Sequence, residues 1–102
     1  DGSMRNIERK LVTIIIEQAV ASRLVRDLHK LGVKGHTATA AQGSGPHGRR
    51  AGEIDGGNVK IETVVSPELR EAIIDHLEEN YLDKYACVVW SSDVVVSREQ
   101  HF

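Results

Sequence analysis

Cysteine is nearly absent. Cys87 stands alone, so no disulfide can close within the chain, and a reducing, cytoplasmic setting is expected. No apolar run approaches the ~20 residues that a membrane-spanning helix needs. No charged segment followed by an apolar one opens the chain, so no secretory signal is expected. Neither charge sign dominates. Thirteen Lys and Arg against fifteen Asp and Glu leave a formal charge of −2, with a pI of about 6.2. That balance speaks against a duplex nucleic-acid binder, and any basic site must be local. The histidines at 29, 36, 47, 76 and 101 show no zinc spacing. Neither H-E-x-x-H nor C-x-x-C occurs, so no metal site is expected.

What is present fits one small domain of 102 residues with one core. Asp1-Gly2-Ser3 before Met4 reads as an expression remnant, and the polar stretch up to residue 9 as a lead-in. Residues 10–17 (KLVTIIIE) are β-branched and form a first strand. Val12, Ile14 and Ile16 point one way, Leu11 and Ile15 the other, so both faces want burial. Residues 18–31 form a helix whose stripe is Ala21, Leu24, Val25, Leu28 and Leu31. Gly32 is placed to stop it in the left-handed region. Residues 33–42 form a second strand, less apolar and suited to an edge, with Gly35 marking a bulge or a close approach.

Residues 59–66 (VKIETVVS) alternate as a third strand. Ser66-Pro67-Glu68 is a helix start, with a serine cap, proline in the first turn and an early acid. The helix runs to about Tyr81, burying Leu69, Ile73, Ile74, Leu77 and Tyr81. Residues 85–91 (YACVVWS) are a fourth strand, which residues 94–96 could extend. Cys87 reads as a small core residue and Trp90 as interface packing.

Between strands two and three lies GSGPHGRRAGEIDGGN, residues 43–58. Loops this long within a compact domain are uncommon and usually functional or disordered. Arg49 and Arg50 follow three glycines, so backbone N–H groups and guanidinium forks can converge on one anion. Solvated surface arginines are the plain alternative.

The order strand, helix, strand, strand, helix, strand is the split βαβ, ferredoxin-like α+β arrangement, with an antiparallel four-stranded sheet. Two helices cover one sheet face only. The apolar residues on the other face, each contributing roughly 1.5–3 kcal/mol when buried, call for a second subunit. A homo-oligomer joined through the open sheet face is expected.

These residues resemble the PII-like signalling proteins, trimers of ferredoxin-like subunits. GVKGHT at 32–37 is similar to the family's G-x-x-G-[hydrophobic]-T run, and NVKIETVV at 58–65 to its third strand. The insertion at 43–58 falls where the family carries its mobile T-loop. The resemblance covers residues 10–96 and implies that 10–102 are one PII-like domain and a homotrimer.

Within the family the chain resembles the inorganic-carbon branch, SbtB and the carboxysome-associated PII protein. The loop lacks the tyrosine that nitrogen regulators have uridylylated. NYLDKYA at 80–86 replaces the T-G-x-x-G-D-G-K segment that grips ATP phosphates. YACVVWSSDVVV at 85–96 is similar to the SbtB strand, although the cysteine-bearing C-terminal extension of many SbtB proteins is missing.

The resemblance implies a non-enzymatic sensor that binds adenine nucleotides between subunits. Loss of the lysine-bearing segment favours AMP, ADP or cyclic AMP over ATP. The carboxysome-associated relative adds a bicarbonate response, and with it a bicarbonate transporter or a carboxysome component as partner. Gly35, His36 and Thr37 would line the adenine end, with backbone groups of Val64, Cys87 and Val88. Gly43, Ser44 and Gly45 would approach ribose and phosphate, and Arg49 and Arg50 would hold the phosphate. Arg98 would reach a neighbour's phosphate. An edge bulge with ordinary polar side chains remains the alternative for 35–37.

Three rivals share the fold. An acylphosphatase-like enzyme needs an anion cradle with an arginine right after strand one, which Glu17-Gln18 does not offer. An RNA binder needs aromatics on its central strands, and strand three has none. A CutA-like metal-responsive trimer needs clustered soft ligands, which the sequence does not show.

Overall fold

The structure is a computed structural model that describes residues 7–42 and 57–97. Its elements run β1 (Ile7–Glu17), α1 (Gln18–Leu31), β2 (Thr37–Ala41), β3 (Asn58–Val65), α2 (Pro67–Asn80) and β4 (Cys87–Val96). The four strands form one sheet in the order β2-β3-β1-β4. All three strand pairs are antiparallel. This is the ferredoxin-like βαββαβ arrangement expected from the element order.

Pairing register divides β1 as its sequence predicts. Val12, Ile14 and Ile16 are fully buried and meet Ile61, Val65, Leu24, Leu28, Ile73 and Leu77 in the core beneath the helices. The other face carries Leu11, Ile15 and Val64, and beside them Val88 and Trp90 are 54% and 51% exposed. Thr13, though on that open face, is buried between its partners Glu62 and Trp90.

The helix ends follow local chemistry. Ser66 Oγ accepts from the Leu69 N–H at 3.1 Å, and Pro67 opens α2 without wasting a donor. Gly32 ends α1 at φ 122°, a conformation that a Cβ would strain. Its N–H returns to the His29 carbonyl, and Val33 N–H to that of Leu28.

A polar network fastens α1 to the residue that closes α2. Tyr81, fully buried, donates its hydroxyl to Asp27 at 2.6 Å. His76 Nε2 lies 2.9 Å from the same oxygen. The Asn80 amide faces His76 Nδ1, which leaves Nε2 to donate to Asp27. The Arg23 guanidinium lies 5.1 Å and 5.4 Å from the ring centroids of Tyr81 and Tyr85.

Three boundaries differ from those read in sequence. The lead-in is strand from Ile7, because Ile7, Glu8 and Arg9 pair with Val96, Val95 and Val94 of a β4 that runs unbroken. β2 starts at Thr37 rather than at residue 33, since Val33 is buried as a core plug rather than paired in the sheet. Gly35 therefore sits in the connection before β2 and is not a bulge within it.

Candidate functional site

The connection between α1 and β2 is pinned from two sides. The buried Thr63 hydroxyl donates to the Gly35 carbonyl at 2.6 Å. His36 Nδ1 lies 3.2 Å from His29 Nε2 on the last turn of α1. Thr37 then enters the sheet opposite Glu62, whose carboxylate accepts from Thr13 Oγ1 at 3.4 Å. Gly35, His36 and Thr37 thus lie at one corner of the sheet, with Val64 adjoining on β3. His36 and Thr37 are exposed there.

Cys87 and Val88 lie elsewhere. They open β4, at the opposite edge and toward the other end of the strands. Cys87 stands in the row of Ile16 and Val59, three residues along β3 from the Glu62 that faces Thr37. Three strand spacings of ~4.8 Å and three residue steps of ~3.4 Å separate Thr37 from Cys87 by ~18 Å. The structure does not bring these two groups together at one corner within a single chain.

Glu17 fixes the second corner. Its carboxylate accepts from the Ala86 N–H at 2.8 Å, and its own N–H donates to the Ala86 carbonyl at 3.1 Å. The next residue, Gln18, donates its N–H to the Gly57 carbonyl at 3.0 Å. Gly57, at φ 114°, is the point where the chain returns from residues 43–56. Burial, reinforced by the nearby Glu17 carboxylate, pushes the Cys87 thiol up to about 11. It stays protonated and is no nucleophile.

Six candidates, Gly43, Ser44, Gly45, Arg49, Arg50 and Arg98, lie outside the described residues. Among the described residues no group of three or more His, Cys, Asp or Glu side chains could hold a metal ion. No helix among them is long and apolar enough to cross a membrane. An open groove of about 510 Å³ runs between α1 and β2, lined by Gln18, Ser22, Val25, Arg26, Ala38 and Ala40 among others. Among the described residues, none of the candidates lines it.

Sequence reasoning missed Thr63, Glu17 and His29. Thr63 and Glu17 sit on strands as ordinary polar residues, and their value lies in partners 28 and 69 positions away. A threonine in the middle of an otherwise apolar alternation, at the inward position, was the available signal for Thr63.

Residues 9–101 match the sequence profile of the nitrogen regulatory protein P-II family. No curated protein sequence matches the chain significantly. A PII-like signaling protein from Thermus thermophilus is 37% identical, over 93% of this chain and 95% of that one, with a TM-score of 0.79. CPII from Thiomonas intermedia K12, a nitrogen regulatory PII-like protein bound to ADP, AMP and bicarbonate, is 26% identical. That match covers 91% of this chain and 97% of CPII, with a TM-score of 0.78. The B. subtilis GlnK–ATP complex, at 18% identity over 85% of this chain and 82% of GlnK, shares the fold with a TM-score of 0.65.

Proposed function

Because the chain belongs to the nitrogen regulatory protein P-II family, we propose that it is a non-enzymatic sensor that binds AMP, ADP or cyclic AMP in clefts between the subunits of a homotrimer. The observation that carries this reading is the separation of the two half-sites. Gly35–Thr37 with Val64 occupies one sheet corner and Cys87–Val88 the far one, ~18 Å away by strand geometry. A neighbouring copy would bring one chain's first corner against another's second in a single cleft. The open sheet face, with Val88 and Trp90 half exposed, supplies the apolar surface for that contact.

CPII is similar in sequence and fold, and its complex with ADP, AMP and bicarbonate supports the ligand class. Arg49, Arg50 and the glycines at 43 and 45 would hold the phosphate, and Arg98 that of a neighbour. Bicarbonate would act as the second ligand.

Magnitudes limit what one nucleotide can do. Fixing a backbone residue costs about 1–2 kcal/mol. A charge-assisted hydrogen bond returns about 1.5–3 kcal/mol. A single phosphate offsets the ordering of a few residues next to it and leaves the rest of 43–58 for a second anion or a protein. In this reading nucleotide and bicarbonate together select one loop conformation. A bicarbonate transporter or a carboxysome component then reads it, in the cytoplasm.

Titration calorimetry with AMP, ADP and cyclic AMP, with and without bicarbonate, tests the proposal on wild type and Arg49→Ala. Saturable binding weakened by the substitution supports it. Equal affinities remove Arg49 from the site, and a monomer that binds no adenylate overturns the reading.

A further inference from the structure

We infer that His29 and His36 form a two-histidine binding site for a late first-row divalent cation, Zn2+ or Cu2+. The facing nitrogens, His29 Nε2 and His36 Nδ1, are 3.2 Å apart. Two imidazole nitrogens bound to one tetrahedral Zn2+ at ~2.0–2.1 Å lie ~3.3 Å from each other. The rings therefore already stand at the spacing an ion requires. The rings meet edge to face, with centroids 5.2 Å apart and planes at 68°, so they do not stack and the two nitrogens face each other across the gap. Imidazole suits zinc and copper among the available cations.

The pair is held in place by the backbone on either side. His29 rides on the last turn of α1, and Gly32 turns the chain back through its positive φ. Val33 is buried in the core, and Thr63 grips the Gly35 carbonyl. His36 follows that clamp directly. An ion entering here pays little to order its ligands. The negative end of the α1 dipole lies beside it and favours a cation. Both histidines are exposed, so the remaining coordination positions are open to water or to an added ligand.

Without metal, one ring donates a hydrogen to the other across the 3.2 Å contact. When the ion enters, the donating ring moves that hydrogen to its other nitrogen. Both lone pairs then face the metal, and a neutral pair loses no net proton. The sequence gives no hint of this site because a seven-residue spacing across a helix end is no metal signature.

The inference stands apart from the nucleotide reading, although His36 belongs to both. Its test is therefore run without nucleotide. Zn2+ alone is titrated by calorimetry into the untagged chain, and the Cu2+ form is read by electron paramagnetic resonance. One ion per chain is expected, with superhyperfine coupling from two nitrogens. His29→Gln and His36→Gln should each weaken binding at least ~10-fold, since even an outer partner of a metal ligand is worth that much. Each should reduce the coupling to one nitrogen, and the double variant should be no weaker than twofold below either single one. Circular dichroism confirms that these surface variants stay folded. No saturable binding, or binding unchanged in both variants, overturns the site. So does binding lost only with His47→Gln, His101→Gln or Cys87→Ser.

Discussion

Tyr81 donates its hydroxyl to Asp27 across 2.6 Å, joining α1 to the residue that closes α2. Burial pushes the Asp27 carboxyl up, but hydrogen bonds from Tyr81 and His76, with the charges of His76 and Arg23, hold it below its ordinary value. Its folded value is therefore lower than its unfolded one. The stabilisation is complete above the unfolded value and is lost as pH falls through the folded one. Thermal melts across the acidic range should show wild type weakening while Asp27→Asn changes less. At neutral pH, Tyr81→Phe should cost about 1.5–3 kcal/mol in a denaturant titration, as removal of a hydrogen bond to a charged group does.

Trp90 reports assembly. It is 51% exposed on the open sheet face of a single chain. If neighbours cover that face, its fluorescence is blue-shifted in the oligomer and moves red on dilution. Trp90→Glu should convert a trimeric mass to a monomeric one in light scattering. A wild-type chain of single-subunit mass with red-shifted emission would remove the intersubunit cleft.

Thr63→Val keeps the shape of the side chain and deletes its hydroxyl. The Gly35 carbonyl loses its 2.6 Å partner, at an expected cost of about 1 kcal/mol. On the proposed reading, the larger effect falls on adenylate affinity, because the connection through His36 is no longer clamped. Calorimetry that shows lower affinity at unchanged oligomeric mass would place Thr63 in that role.

Gly57 holds a φ of 114° at the return from residues 43–56. An alanine there meets only an ordinary 3.8 Å contact with the Ala41 carbonyl, so the strain is in the backbone and not in space. Gly57→Ala should destabilise the chain by roughly 1–3 kcal/mol, visible as a lower melting temperature.

Cys87 should react slowly with iodoacetamide at neutral pH and quickly only after unfolding. Its thiol, pushed up to about 11 by burial and by Glu17, carries almost no thiolate near pH 7.

Much of the fold was legible because each element carried redundant signals. β1 showed apolar residues on both faces, and α2 announced itself through Ser66, Pro67 and Glu68. The errors lie where one property serves two purposes. Val33 is apolar because it plugs the core, not because it belongs to a strand. Glu8 and Arg9 are polar yet extended, because backbone pairing with β4 asks nothing of their side chains. Gly35, His36, Thr37 and Val64 gather at one corner, while Cys87 and Val88, read with them in sequence, open β4 at the opposite edge. The His29–His36 contact was illegible, since it exists only once Gly32 has reversed the chain.

Glu17 and Gln18 are adjacent, yet one grips Ala86 at the mouth of β4 and the other grips Gly57. A pull on the returning arm reaches the leading edge of β4 through one dipeptide, bypassing the hydrophobic interior. On the proposed reading, ligand capture at one crevice would thereby be yoked to the wall that the same chain lends to the next, a mechanical route to cooperativity around a ring of copies.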